Sequence, residues 1–413
     1  MHAEKLPPQI FRRVRQPYRA VKKRPVKIGR RVKTKNIRVI LLQLKYKNIF
    51  ILVAVLMTMS WIITLPFRGR PASDTPLPTP KSSLSPTLRP PYVPPIPEKI
   101  PEDLGFAYNV RRQPYQRNSS QLQEIVNELV NIAEEKGLPT APLSISLIDV
   151  SNPDIHTFAG YKSQVLRYPA SVAKLFWMVA FYGSVEQGLI DDEPKFHEDL
   201  RLMMQKSHND SASKIVDAIT DTKSGIKLEG KKLNTWLEKR KLVNEFFQKA
   251  GYQGLIVSTK NYPRYSPSQT GPVGRDRQLR KEDGKFLRNL ISTDHGTRLM
   301  YEIYTRQAVS PKHSRRMAYL LTRDLRPEAW QKDPYNGVKG FLGESLPTNI
   351  YFGSKVGLTS EHRMDVAFVR TLDDKAIYIL AIFAEDAAYF NDEEIFPKFS
   401  RHVYDRMIGM GSK

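Results

Sequence analysis

A serine and a lysine three residues apart, Ser171 and Lys174 in YPASVAKLFWMV, form a pair with the chemistry of acyl transfer. On a helix, positions i and i+3 share a face, so the amine can reach the hydroxyl. A buried lysine beside other cations gives up its charge more readily and can then take a proton from a hydroxyl nucleophile. Pro169 and Ala170 precede the serine as at a helix start, and Leu175, Phe176, Trp177 and Met178 carry the helix into a core. Its N-terminus would favour an oxyanion. A Ser-x-x-Lys pattern is expected by chance about once in a chain of this length, and Ser211-Ala212-Ser213-Lys214 is another match. Taken alone, the first match reads more readily as an ordinary amphipathic helix.

Two further clusters follow. Ser207-His208-Asn209, in QKSHNDSAS, stands at the hinge between two predicted helices. Read locally, Ser207 or Asn209 is a helix N-cap with Asp210 in the first turn, and His208 is exposed. Lys355-Val356-Gly357, in FGSKVGLTS, falls just before two strong strands. A glycine there lets a second backbone approach an edge strand and add to it, although a lysine and a glycine beside a strand also fit a turn at a solvated edge.

In this order, S-x-x-K, S-x-N and K-x-G resemble the pattern of class A β-lactamases and the related penicillin-binding transpeptidases and carboxypeptidases. The resemblance covers about residues 119–410. It implies Ser171 as nucleophile, Lys174 as base and Ser207 as the relay that passes a proton toward the leaving nitrogen. It implies that Asn209 binds the substrate amide and steadies Lys174. Lys355 would attract a substrate carboxylate and help lower the pKa of Lys174. Gly357 would admit the substrate backbone, and the amides of Leu358 and Ser171 would form an oxyanion hole. The implied substrate is a β-lactam or a peptidoglycan-like peptide amide, with no metal and no cofactor.

The chain departs from that pattern in two places. Val356 stands where the family has Thr or Ser, which removes a donor to the substrate carboxylate; Thr359 or Ser360 could substitute, and Arg363 adds charge. The glutamate signature E-x-x-L-N of class A enzymes is absent from residues 261–292, whose acids are Asp276, Glu282 and Asp283. Glu282 is the candidate deacylation base, set against the commoner reading of an exposed loop carboxylate. Without a positioned base an acyl-enzyme would persist, as in penicillin-binding proteins. A catalytically weak relative that binds cell-wall peptide or a protein partner is the alternative. The separation of Ser171 and Ser207 is shorter than in typical class A enzymes, so a compact helical lobe and a widened or flattened cleft are expected.

The elements that must position these residues are legible as periodicities. Helical spacing of Leu122, Ile125, Val126 and Leu129 ends at Gly137, and PLSISLIDV alternates as a strand with HTFAG as its hairpin partner. Helices are expected over about 171–187, 198–205, 210–219, 233–250, 293–305 and 311–322, strands at DVAFVRTL and KAIYILAIF, and a last helix over 392–407. The expected fold class is α+β: a β-lactamase/transpeptidase-like sandwich of a mainly antiparallel sheet, helices on both faces and a helical lobe, preceded by one transmembrane helix.

The 413 residues carry a net charge of +23, and residues 1–47 hold sixteen Lys/Arg against the single acid Glu4. The folded part is thus only mildly basic, and no nucleic-acid partner is expected; a basic stretch beside a membrane orients it or meets anionic lipid. Residues 49–65, IFILVAVLMTMSWIITL, lack any charge and suit an uncleaved anchor near the short limit for spanning. The expected organisation is a cytoplasmic tail at 1–47, a transmembrane helix at 48–66, a proline-rich spacer at 67–117 and a periplasmic domain at 118–413 on the inner membrane. The absence of cysteine excludes disulfides, thiolate nucleophiles and zinc–thiolate or iron–sulfur sites. No GxSxG, HExxH or GxxxxGK[ST] pattern is present.

Overall fold

A computed structural model describes residues 106–411, apart from 192, 282, 283 and 285. The basic tail, the apolar run and the spacer up to residue 105 therefore lie outside the described residues, as does Glu282. Among the described residues no helix is long and apolar enough to cross a membrane.

The first part of the chain contains β1 (Arg117–Asn118), α1 (Ser120–Glu135), β2 (Leu143–Asp149) and β3 (Thr157–Tyr161). A helical stretch follows: α2 (Ala173–Glu186), α3 (His197–Gln205), α4 (Asn209–Thr220) and α5 (Gly230–Gln248). A small ribbon, β4 (Arg264–Tyr265) and β5 (Ser268–Gln269), leads to α6 (Gly274–Arg280), α7 (Thr293–Tyr304), α8 (Pro311–Leu321) and α9 (Pro327–Trp330). The chain closes with β6 (Ile350–Thr359), β7 (His362–Thr371), β8 (Ile377–Ala384), α10 (Ala387–Asn391) and α11 (Ile395–Gly411).

Six strands form one sheet in the order β1-β3-β2-β8-β7-β6. The β1–β3 pair is parallel and the other pairs are antiparallel. Alternation sorts each strand between two cores. On β2, Leu143, Ile145 and Leu147 join the layer under α1 and α11. On β7, Met364, Val366 and Phe368 face α2 and α7, while Ala367 and Val369 face the other way. Because both faces are covered, β7 and β8 are buried along their whole length, and β8 reads as a continuous apolar run.

Helix α2 is the axis of the first core. Every residue from Ala173 to Ser184 is buried, as expected of a helix apolar on all sides. Helix α1 is instead amphipathic; Ser119 caps it by accepting from the Leu122 amide, and Gly137, at φ +72°, ends it. Residues ahead of position 118 also pack into the core. Tyr108 is buried, and its hydroxyl donates to Glu302 at 2.7 Å, beside Tyr252 (2.7 Å) and Arg298 (2.8 Å). The Lys355 motif falls just before the two expected strands, β7 and β8, and is itself part of a strand, β6, a ten-residue edge strand paired with β7 from Ile350↔Thr371 to Thr359↔His362.

Candidate active site

Ser171 lies in a single 3-10 turn, Ala170–Val172, that feeds α2. Ala170 has φ +46°, a left-handed conformation that costs a residue with a Cβ about 1–3 kcal/mol. The turn is held by the Val172 amide donating to Pro169 O (2.9 Å) and by Asn261 Nδ2 donating to Ala170 O (3.0 Å). Ser207 is strained in the same sense, with φ +54°. It follows α3 at the left-handed position that usually takes glycine, and the amides of Lys206 and His208, on either side, both donate to Leu202 O. This conformation brings both the carbonyl and the hydroxyl of Ser207 onto Lys174.

Lys174 is the hub. Its Nζ lies 2.8 Å from Ser171 Oγ, 2.5 Å from Ser207 O, 2.7 Å from Asn209 Oδ1 and 3.2 Å from Ser207 Oγ. The Ser207 carbonyl and the Asn209 amide oxygen can only accept, so they take two N–H bonds. The remaining valence of the amine faces the hydroxyls. Burial pushes the Lys174 pKa down to about 7, so near neutral pH that valence can be a lone pair directed at Ser171. Lys355 Nζ donates to Ser207 Oγ (3.0 Å) and Val356 O (2.8 Å). Its pKa is also pushed well down, first by burial and then by the charges of Lys174 and Arg323, with Asp365 opposing. Burial is the cause that lowers Lys174, and Lys174 and Lys355, both touching Ser207 Oγ, repel each other's charge.

The close approach of β6 explains Gly357. A Cβ there would sit 2.6 Å from Pro169 O and 3.1 Å from Ser171 N, so any other residue would push the strand away from the serine turn. The next residue, Leu358, lines the mouth of the cleft and is 44% exposed. The cleft has a volume of about 600 Å³. Its far wall is Asn261, Tyr262 and Pro263, and Asn209 Nδ2 donates to Pro263 O (2.8 Å). The buried Oδ1 of Asn261 makes no hydrogen bond. Among the described residues that line the cleft none is a carboxylate.

Several local readings change in the structure. The N-cap of α4 is His208, neither Ser207 nor Asn209: its imidazole accepts from the Ser211 amide. His208 is half-buried and stacks on Tyr265. Arg363 adds no charge to the cleft; it is buried and donates to the carbonyls of Gly340, Tyr389 and Phe390. Thr359 lines the cleft with its hydroxyl against His362 Nδ1 (2.7 Å). The second Ser-x-x-Lys is not a pair: Ser211 Oγ meets His208 Nδ1 at 2.9 Å, while Lys214 reaches out to Asp199 at 3.1 Å.

Three residues of the site's framework carry no motif. Arg323, at the end of α8, donates to Met204 O (2.7 Å), Gln205 O (2.8 Å) and Ser354 O (3.3 Å), so it ties the α3 end that precedes Ser207 to the strand carrying Lys355. Asp365, opposite Val356 on β7, is fully buried; its Oδ2 accepts from the Leu342 amide, and burial raises its pKa to about 7. Asn261 braces the serine turn, as described above. Of the three only Asp365, at the head of the apolar run VAFV, stands out in the sequence, and that does not name a partner.

The class follows from fold and site together: an α+β domain that holds a serine against an uncharged-prone lysine at the foot of an edge strand. Residues 231–407 match the family described as beta-lactamase enzyme family. That match contains Lys355 and Gly357 but begins after Ser171, Lys174, Ser207 and Asn209. Similar solved structures include a β-lactamase from Sphaerobacter thermophilus DSM 20745, 17% identical over 70% of this chain and 98% of that one, with a TM-score of 0.46. PBP-A is 17% identical over 71% of this chain and 98% of its own, with a TM-score of 0.45. A point mutant of the last common ancestor of Gram-negative bacteria class A β-lactamase is 14% identical over 68% and 97%, with a TM-score of 0.46. No curated protein matches the sequence.

Proposed function

We propose that the protein is a membrane-anchored periplasmic hydrolase that forms an acyl-enzyme on Ser171 with a β-lactam or a peptidoglycan-like peptide amide. The observation that carries this reading is the 2.8 Å contact between Ser171 Oγ and a buried amine whose pKa lies near 7. The neutral Lys174 amine takes the Ser171 proton as Oγ bonds to the substrate carbonyl. The oxyanion is met by the amides of Ser171 and Leu358. The amide C–N bond then breaks, and the proton returns from Lys174 through Ser207 Oγ to the leaving nitrogen. Ser207 suits the relay because its hydroxyl touches both Lys174 and Lys355. Asn209 and Lys355 hold the substrate amide and carboxylate.

The basic tail and apolar run support an orientation with residues 1–47 in the cytoplasm and the acylating domain in the periplasm. The cleft lacks a described carboxylate to activate water, which favours a long-lived acyl-enzyme. The same observation, together with Val356, supports the second reading, a weakly active or inactive binder of cell-wall peptide or of a protein partner. Intact-mass measurement with a β-lactam separates the two. A covalent adduct on Ser171 that outlasts minutes is the expected result; no adduct over a wide range of pH and β-lactam class would leave only the binder.

A further inference from the structure

Far from Ser171 in sequence, two loops of the helical lobe, 221–229 and 270–275, expose aliphatic side chains. Ile226 is 82% exposed and Val273 is 48% exposed. These loops are not slack. The Arg275 amide donates to Gly225 O (3.2 Å), Arg275 Nε to Ile226 O (3.1 Å), and the Gln278 side chain exchanges hydrogen bonds with the Leu228 backbone (2.9 and 2.8 Å). Gly274, at φ +52°, lies so close to the other loop that a Cβ would be 1.8 Å from Gly225 O. The clamp holds Ile226 and Val273 outward together, both lining one groove.

The charge around this tip is mostly positive, with Asp221 and Glu229 the exposed acids of the 221–229 loop. Beside the tip runs a groove of about 1460 Å³, lined in part by Lys223, Lys227 and Arg275. The acids of the groove are already paired: Asp199 with Lys214 (3.1 Å), Asp217 with Lys260 (2.6 Å) and Asp221 with Lys239 (2.6 Å). Lys223 and Lys227 are exposed, and among the described residues neither makes an ion pair. Lys231 and Lys232 follow, exposed, in the first turn of α5.

We infer that this paired-loop tip docks on an anionic lipid surface, with Ile226 and Val273 entering the interface and Lys223, Lys227 and Arg275 against the headgroups. Exposed aliphatics ringed by lysine are what a bilayer interface selects, and each cation near an anionic surface strengthens binding about fivefold. A rigid tip with an outward isoleucine suits a broad surface better than an acidic peptide lying in the groove. The inference does not depend on the chemistry at Ser171.

The chain has no cysteine, so Ile226→Cys in the full chain can carry a single nitrobenzoxadiazole probe. Leu372→Cys, at another exposed position, serves as the control. On vesicles of phosphatidylcholine with phosphatidylglycerol, the probe at 226 should brighten, shift to the blue and be reached by a quencher in the acyl chains. On phosphatidylcholine alone it should stay in water, and the probe at 372 should stay in water on both. Lys223→Gln and Lys227→Gln should each weaken the response about fivefold, with the melting temperature unchanged. A probe at 226 that stays wet on both vesicles, or that responds equally to both, overturns the inference. So does a response to soluble polyglutamate with none to lipid.

Discussion

Two buried lysines in this molecule have similar surroundings by polarity and opposite prospects. Lys174 and Lys260 are both almost inaccessible, and burial lowers the pKa of the first to about 7 and of the second to about 8. Lys260, however, sits 2.6 Å from the Asp217 carboxylate and 2.8 Å from Ser224 Oγ, with Arg240 sharing the same aspartate. It is one charge in a paired cluster inside the helical lobe. Lys174 has no carboxylate at all; its partners are two hydroxyls, a carbonyl and an amide oxygen, and its serine opens onto the cleft. A lowered pKa alone does not mark a catalytic group, because structural ion pairs shift pKa values as well. Both touch a hydroxyl at 2.8 Å; what distinguishes the two is the counter-charge, which Lys260 has in Asp217 and Lys174 lacks.

The sharpest way to break this contrast is at the nucleophile. Ser171→Ala should abolish labelling by a fluorescent penicillin entirely, with the melting temperature preserved; label surviving on another serine would move the site. Next comes the pair of lysines. Lys174→Met should slow acylation about 10²–10⁴-fold, the usual range for a lost general base, in a protein that still folds. Lys260→Met should do the reverse: a loss of about 3 kcal/mol in stability from breaking a buried pair, read by denaturant melts, with acylation of the folded fraction unchanged. If the two variants behave alike, the contrast is wrong.

A smaller effect is expected from pH. Below about 7 Lys174 is an ammonium and cannot accept the Ser171 proton, so the acylation rate should fall about tenfold for each further unit of acidity and level off above that point. Stability runs with the same sign. The folded protein resists charging Lys174 while the unfolded chain does not, so this penalty is complete below about 7 and fades as pH rises toward the ordinary lysine value of 10.5. A rate that is flat from acid to neutral pH would remove Lys174 as the base. The smallest effect belongs to Ser211→Ala. It loses one hydrogen bond to His208, about 1 kcal/mol of stability, and leaves labelling unchanged.

Much of the architecture was legible because its signals are local. Helical spacing marked α1, the apolar run marked α2, alternation marked β2, and strongly apolar stretches marked β7 and β8. The edge strand β6 was harder to read, since Lys355, Gly357 and Ser354 interrupt its apolar pattern where it meets the site. The cap of α4 went to His208 because Ser207 had to adopt the left-handed turn that serves Lys174. Arg363 had the charge expected near the cleft but is held by three carbonyls from distant segments.

The sequence by itself determined which groups share a helical face or a strand: Ser171 with Lys174, and Lys355 with Gly357, since i,i+3 spacing and pleat alternation follow from backbone geometry alone. Only the tertiary structure decided that Ser207 and Asn209 close around Lys174, that Asn261 braces the serine turn, and that Arg323 joins the α3 end to β6. Those contacts link positions from about thirty to more than a hundred residues apart. Their geometry exists only after the sheet and helical lobe have packed, and the same packing removes the water that would otherwise keep Lys174 charged.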